Sequence, residues 1–402
     1  MTNAPLTPVR VQSTSRFSVT IRRVMFGAMA LFLASSFFSI AVNSLSLGLM
    51  GMTFVLLMVL ERRLIARPTP LDWFFLAYIL AEFLSAGFSP NPLQALEFSK
   101  RLLLIGIVYW FGTWVTTDTV AGRVMAVLLG SAVAVSLVGV WIMAASRPLR
   151  LGIFQFYMTT SELMMFAALM LLPFTVHPAT PRRIRALALA GLVPVLVSLY
   201  GTVTKGAYLA FAAGMVFIAL VRSWKLLLPA LAAGVLLVVL APPFVQERLE
   251  GIVDIHHPEN AERLMLWKTG LRIFARSPVV GVGDIDLHAV YVQVMDPGDP
   301  ARHGHLHNMA LQFLVTLGVV GFAAVLAMFA QIVRTEWKIY RRVKDHWLRG
   351  SIALGALSVF VGLQVAGLTE WTFGDQEIAI VFWISVGMAL AAGSMPAAAR
   401  EV

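Results

Sequence analysis

The apolar stretch from Met309 to Ile332 reads MALQFLVTLGVVGFAAVLAMFAQI and contains no charged residue. A helix that crosses the hydrocarbon core of a bilayer needs about 20 mainly apolar residues, so this stretch is long enough to span a membrane. The residues directly before it, Arg302 to Asn308, read RHGHLHN and are strongly polar. The sequence therefore places a membrane helix immediately after a histidine-rich segment.

The composition of the whole chain favours the same environment. Of the 402 residues, 59% are hydrophobic and 13% are charged, and the mean hydropathy is +0.81. These values exclude an ordinary soluble domain. They predict an all-α polytopic membrane protein with about 12 transmembrane helices. The predicted spans are 24–42, 45–60, 71–88, 102–115, 124–145, 153–176, 186–203, 207–221, 226–241, 309–332, 351–368 and 378–392.

The predicted spans divide the chain into three parts. Residues 1–242 are expected to form an N-terminal bundle of about nine spans, 243–307 a large exported loop containing helices, and 308–402 about three C-terminal spans. Most lysines and arginines lie in short segments that are cytoplasmic if the N-terminus is inside, so both termini are predicted to be cytoplasmic. No small-residue cleavage site follows the first span, which is therefore expected to remain as an anchor.

Charge and cysteine content narrow the classes of partner and chemistry. The net charge of +10 is explained by insertion topology and contact with anionic lipid, so it does not indicate nucleic-acid binding. The chain has no cysteine, which excludes disulfides, thiolate nucleophiles and cysteine metal sites.

Six of the eight histidines lie between residues 243 and 307, and their cluster allows three interpretations. His303, His305 and His307 alternate, so in an extended segment they would share one face and could bind zinc, although no nearby carboxylate completes a ligand set. A solvated loop without chemistry is the second interpretation. The third is acid-base catalysis, because His307 lies just before a helix start whose partial positive charge favours a neutral, proton-accepting imidazole. Asn308 would cap that helix.

The large loop is predicted to contain a helix from Asn260, as its N-cap, to Arg276, ending at Ser277-Pro278. At about 100° per residue, Arg263 falls in the middle of the apolar face, where a guanidinium is costly unless it meets an anion or a carboxylate. A functional role for Arg263 is therefore favoured over a structural salt bridge. The opposite, basic side of the helix is expected to face solvent or lipid headgroups, and it carries Lys268, Arg272 and Arg276.

Further cations are predicted on the exported side. Lys205 falls between the seventh and eighth spans, where either a functional role or snorkelling to the interface would explain it. Two exported pairs accompany it, and they are Arg147 with Arg150 and Lys100 with Arg101. Together these cations could surround a diphosphate.

Several separate segments together resemble the signature of the O-antigen ligase and polymerase superfamily. They are Arg263 to Trp267, Ser277 to Gly283, His305 to Gln312 and Leu317 to Gly321, with weaker matches at 152–159 and 368–375. Thr204-Lys205-Gly206 is similar to the family's Ser/Thr-Arg-Gly segment. Lysine in place of arginine keeps the charge there but loses the bidentate fork. The resemblance spans 151–377.

This resemblance implies a glycosyltransferase of the multi-spanning C-type class in a bacterial inner membrane. The ligases of the family take a glycan from undecaprenyl diphosphate and join it to the lipid A core oligosaccharide with inversion, using neither a metal nor another cofactor. By the same resemblance, His307 or His305 would accept a proton from the attacking hydroxyl, and Arg263 would stabilise the leaving diphosphate. The predicted substrate-binding residues are Lys205, Arg272, Arg147, Asn308 and Trp267.

Three other functions stay open at the level of sequence. An O-antigen polymerase and a protein O-oligosaccharyltransferase would share these motifs, and no feature of the sequence identifies the acceptor. Twelve spans would also suit a transporter or lipid flippase, although transporters commonly carry mid-membrane charges. In this chain Glu82 and Glu162 are nearly the only deep carboxylates.

Overall fold

The computed structural model describes residues 16–62, 65–228, 246, 251, 254, 256–297, 299 and 304–396. All regular secondary structure in these residues is helical. The α-helices are α1 Arg16–Ser35, α2 Ile40–Glu61, α3 Asp72–Gly87, α4 Pro92–Phe98, α5 Gly106–Trp114, α6 Asp118–Ser146, α7 Tyr157–Val176, α8 Arg182–Gly201, α9 Lys205–Arg222, α10 Pro258–Arg276, α11 His288–Tyr291, α12 Met309–Val343, α13 Trp347–Ala366 and α14 Gln376–Ser394. Short 3-10 helices cover Ser99–Ile105, Trp224–Leu226 and Thr372–Gly374.

Eight of the described helices are long and apolar enough to cross a membrane, namely α2, α6 to α9 and α12 to α14. The prediction of an all-α polytopic membrane protein is therefore confirmed. The predicted ninth span, 226–241, lies largely outside the described residues. The fourth, 102–115, starts as 3-10 helix and becomes α-helix at Gly106.

The predicted boundary of the first span, at Val42, is wrong. A turn separates α1 from α2 because the Ser39 hydroxyl caps α2, accepting a hydrogen bond from the Val42 amide at 3.3 Å. The Asn43 side chain then donates to the Phe32 carbonyl at 2.8 Å and ties the two helices together. The serines were hidden in an otherwise apolar run, so hydropathy merged the end of one helix with the start of the next.

The centre of the bundle consists of α7, α13 and α14, whose apolar stretches are 78%, 83% and 78% buried within the protein. The corresponding value for α2 and α9 is 28%, which places these two helices at the periphery. Successive long helices run in opposite directions, so alternate helix connections lie on the same side of the bundle. We call the side that carries the following connections the loop end. It is formed by 89–91, 147–156, 202–204, 277–287, 304–308 and 367–375.

Gly318 interrupts α12 with φ 63° and ψ −171°, a backbone conformation that only glycine adopts readily. The interruption lets the segment from Ser277 to Gly283, which follows α10, pack against the helix. The Val319 amide donates to the Pro278 carbonyl at 2.9 Å, and the Gly283 amide donates to the Thr316 carbonyl at 2.9 Å. These backbone bonds fix the end of α10 to the bundle.

We expect Gly318→Ala to lower the thermal stability of the detergent-solubilised protein. A Cβ there would lie 2.3 Å from the Val279 carbonyl oxygen, and the backbone strain alone costs about 1–3 kcal/mol. Gly130→Ala in α6 is the matched control, because a Cβ at Gly130 meets no atom within 4 Å. Equal melting temperatures for the two variants would contradict the packing described for Gly318.

Candidate active site

A cavity of about 1570 Å³ opens at the loop end of the bundle. Its polar part is lined by α7, α9, α10 and the segments before α12 and α14, and an apolar part continues between α2 and α5. Seven histidines and cations singled out from the sequence line this one cavity, and they are His305, His307, Arg263, Lys205, Lys100, Arg101 and Arg150.

The histidine segment is held in place by both neighbouring helices. Trp267 of α10 donates from Nε1 to the Leu306 carbonyl at 3.1 Å, and the Leu306 amide donates to Gln312 Oε1 at 3.0 Å. Asn308 caps α12 by accepting from the Leu311 amide at 2.9 Å, as predicted. Between these anchors His307 has φ 46°, in the left-handed region that a non-glycine residue seldom occupies. Strain of this kind is often found at functional sites.

Glu370 joins the two histidines. His307 Nδ1 lies 2.8 Å from Glu370 Oε1 and 3.0 Å from Oε2, while His305 Nε2 lies 3.3 Å from Oε1. The two imidazole centroids are 4.3 Å apart. The Trp371 amide also donates to Glu370 Oε1 at 3.0 Å and fixes the carboxylate.

The protonation state of this cluster follows from its hydrogen bonds. Burial by itself raises the pKa of Glu370, but the hydrogen bonds with His305 and His307 outweigh it and hold that pKa well below its usual range. An ionised carboxylate only accepts hydrogen bonds, so Nδ1 of His307 and Nε2 of His305 carry the protons that face it. In neutral His307 the lone pair able to accept a proton is then on Nε2.

Glu370 was not predicted from the sequence as a site residue, although it lies in the 368–375 segment that resembles the family. It also supplies the carboxylate whose apparent absence had argued against a metal site. One ligand atom from each of His305, His307 and Glu370 lies within 4.8 Å of the others. Two ligands of a tetrahedral zinc, each at about 2.0–2.1 Å from the ion, stand about 3.3 Å apart. The 2.8 Å contact of His307 is shorter than this spacing and fits a hydrogen bond better than a shared ion.

A basic group lines another part of the cavity. Lys205 begins α9, its side chain is 11% exposed, and its Nζ lies 3.7 Å from Glu259 Oε2. Arg263 is half-buried and extends the buried side of α10, which continues through Leu266 and Ile273. It therefore faces the cavity rather than the packed interior that the helical projection predicted. Among the described residues, none forms a hydrogen bond or ion pair with its guanidinium.

A second charged network, not predicted from sequence, supports the floor of the site. The Arg101 guanidinium forms an ion pair with Asp284, lies 3.5 Å from Glu82 Oε1, and stacks on Trp371 at 5.2 Å from the ring centroid. Burial raises the pKa of Asp284, while the charge of Arg101 opposes that rise. Because both carboxylates are buried, removal of Arg101 would leave charge uncompensated, at a cost of about 3–5 kcal/mol.

Four of the five predicted substrate-binding residues do not reach the cavity with their functional groups. Asn308 is one of them, because its side chain caps α12 and donates to the Leu368 carbonyl at 3.0 Å. Arg147 is exposed at the end of α6. Arg272 pairs with Asp296 at 2.8 Å and donates to the Val294 carbonyl at 3.1 Å, and together with Lys268 it holds the pKa of Asp296 below its usual range. The Trp267 indole N–H is already used in the hydrogen bond to the Leu306 carbonyl, so Trp267 holds the histidine segment in place.

One local prediction for the loop helix is wrong. Asn260 is not the N-cap of α10, because the helix begins at Pro258, and its side chain instead donates to the carbonyls of Gly251 and Asp254 at 2.9 and 2.8 Å. Proline is well suited to a first helical turn, which explains the earlier start. His303 lies outside the described residues.

Comparison with known proteins gives one family match. No curated protein matches the chain. Among solved structures, a chain from a peptidoglycan synthase complex described as coordinating polymerization and crosslinking is 17% identical, with 80% of this chain and 96% of that chain covered and a TM-score of 0.45. Residues 186–326 match the family model described as O-antigen ligase, a range that includes Lys205, Arg263 and both cavity histidines. The resemblance to the O-antigen ligase and polymerase superfamily is thereby confirmed over these residues.

Proposed function

We propose that the chain is an O-antigen ligase, a glycosyltransferase that moves a glycan from undecaprenyl diphosphate to the lipid A core oligosaccharide. The observation that carries this proposal is the placement of the hydrogen-bonded His307 and Glu370 in the same cavity as Lys205 and Arg263. A hydroxyl acceptor needs a proton-accepting group, and a diphosphate leaving group needs fixed positive charge. The cavity holds both.

The proposed reaction is a single displacement at the anomeric carbon. The acceptor hydroxyl gives its proton to Nε2 of His307 as its oxygen bonds to that carbon. The bond from the carbon to the diphosphate oxygen breaks, and its electron pair leaves with the undecaprenyl diphosphate. Lys205 and Arg263 stabilise the charge that develops there. The anomeric configuration is inverted, and no metal takes part.

The proposed orientation follows from the positive-inside distribution of the sequence. Both termini are cytoplasmic, the chain crosses the inner membrane about 12 times, and the 243–307 loop lies in the periplasm between an N-terminal bundle of residues 1–242 and the C-terminal spans of 308–402. All cavity residues named above lie at the loop end of the helices, as expected if one face of the membrane holds the site.

Purified protein supplied with the lipid-linked glycan tests this function directly. A glycan joined to the lipid A core supports a ligase, whereas glycan chain growth in the absence of that acceptor supports a polymerase. Transfer to a protein acceptor supports an oligosaccharyltransferase. Vesicle uptake with none of these products would overturn the enzyme proposal. Loss of activity on chelation, together with a bound ion in elemental analysis, would overturn the metal-free mechanism.

We expect Glu370→Gln to lower kcat for transfer by about 10²–10⁴-fold. A glutamine can donate to Nδ1 of His307 and so favour the wrong tautomer, with Nε2 protonated. Because Glu370 positions a catalytic group, KM for the donor should change much less than kcat, and Glu370→Asp should restore part of the rate. Glu377→Gln is the control, because Glu377 lies in the first turn of α14, close to Glu370 in the chain, and does not line the cavity. A parallel fall in the control, or a near-normal rate for Glu370→Gln, would contradict the assignment.

A further inference from the structure

The cavity continues as an apolar groove along one face of α2. Its α2 wall consists of residues in the i, i+3, i+4, i+7, i+11 pattern, and they are Ser44, Leu47, Gly48, Gly51 and Val55. This spacing is that of a single helical face. The opposite wall comes from the 3-10 helix Ser99–Ile105 and from α5, through Leu103, Leu104, Gly106 and Trp110. We call this space the α2–α5 groove.

Glycines keep the α2–α5 groove open. A Cβ added at Gly48, Gly51 or Gly106 would meet no atom within 4 Å, whereas one at Gly139 in α6 would lie 2.3 Å from Ile153. Close helix packing therefore explains Gly139 but not the three groove glycines. The walls do meet further along, where the rings of Phe54 and Trp110 lie 5.3 Å apart.

The groove reaches well into the depth of a bilayer. From Ser44 to Val55 the helix rises about 16 Å at 1.5 Å per residue, about half of a 30 Å hydrocarbon core. Where the groove meets the loop end, the Ser44 hydroxyl accepts a hydrogen bond from Gln376 Nε2 at 2.8 Å. Gln376 follows Asp375, and both residues also line the polar part of the cavity. The apolar groove and the chamber of His307 and Arg263 are thus parts of one cavity.

We propose that the α2–α5 groove binds the polyprenyl chain of the lipid-diphosphate donor, an inference that rests on the proposed function. In such a donor a single diphosphate separates the reacting sugar carbon from the apolar tail. An acceptor glycan is separated from its own lipid by a whole oligosaccharide. A groove that opens directly beside the cationic chamber fits the first arrangement and not the second. Lys100 and Arg101 lie at this junction, where the tail would meet the diphosphate.

Chain-length dependence provides the test. With an undecaprenyl-diphosphate donor, we expect Gly51→Phe to lower kcat/KM at least tenfold, which corresponds to about 1.4 kcal/mol. With a farnesyl-diphosphate donor bearing the same glycan, the variant should keep a rate close to that of the unaltered protein, which also shows that it is folded. Gly27→Phe in α1 is the matched control, since Gly27 has equal open space but does not line the cavity. Equal effects on both donors, or no effect on either, would overturn the proposal.

A binding measurement separates failure of this inference from failure of the proposed function. A photo-crosslinking amino acid placed at Val55 should capture undecaprenyl diphosphate, and excess phospholipid should not compete. Met52, on the same helix and exposed outside the cavity, serves as the control position. If the protein transfers no glycan but Val55 is still labelled selectively, only the proposed function fails. Equal labelling at Met52, or competition by phospholipid, shows an ordinary lipid-facing surface and overturns the groove assignment.

Discussion

Replacement of His307 by alanine is expected to lower the rate of glycan transfer by about 10²–10⁴-fold, the usual contribution of a positioned general base. The structure makes this residue the stronger candidate of the two cavity histidines. His307 makes the shorter contacts to Glu370, and its side chain is 17% exposed against 38% for His305. The rate should be measured on purified protein at saturating donor and acceptor.

Controls separate loss of the base from loss of the fold. His256→Ala changes an exposed loop histidine outside the cavity and should leave the rate unchanged. His305→Ala should lower the rate less than His307→Ala, because its contact with Glu370 is longer. Near-normal transfer by a well-inserted His307→Ala protein would remove this residue from the mechanism. A larger effect at His305 would assign the base to that residue instead.

Arg263→Ala should have the second large effect, a loss of about 10²–10³-fold in kcat. The guanidinium faces the cavity, and among the described residues no carboxylate neutralises it, so its charge is available to a leaving diphosphate. Arg263→Lys should recover part of the rate, because lysine keeps the charge but cannot form two parallel hydrogen bonds. Single-turnover kinetics with a labelled donor would measure the chemical step.

Arg276→Ala provides the matched control on the same helix. Arg276 is exposed near the C-terminal end of α10 and does not line the cavity, so its loss removes a positive charge without removing a ligand. Equal losses in the two variants would indicate a general electrostatic effect of the loop rather than a diphosphate site. Unchanged kcat in Arg263→Ala would contradict the role of this residue.

The long membrane helices could be predicted from sequence because their length and apolar composition are local properties. The cap by Asn308 was predictable for the same reason, since the capping oxygen and the Leu311 amide lie three residues apart. His305 and His307 belong to one short motif, and both line the cavity. These successes all concern residues that are neighbours in the chain.

The rest of the site depends on contacts between distant segments. Glu370 reaches His307 across 63 residues, and Arg101 pairs with Asp284, which lies in a different, distant segment of the chain. Neither pairing leaves a periodic pattern in the sequence. Arg272 shows the converse problem, because a basic residue on a loop helix looked available for phosphate until the structure paired it with Asp296.

The anomeric configuration of the transferred sugar tests the central claim most directly. The product should be prepared from a lipid-diphosphate donor of defined configuration and analysed by NMR at the new glycosidic bond. A single displacement in which His307 accepts the proton predicts complete inversion at that carbon. Retention of the donor configuration would require a covalent glycosyl-enzyme or another two-step route, and would contradict the mechanism proposed for this cavity.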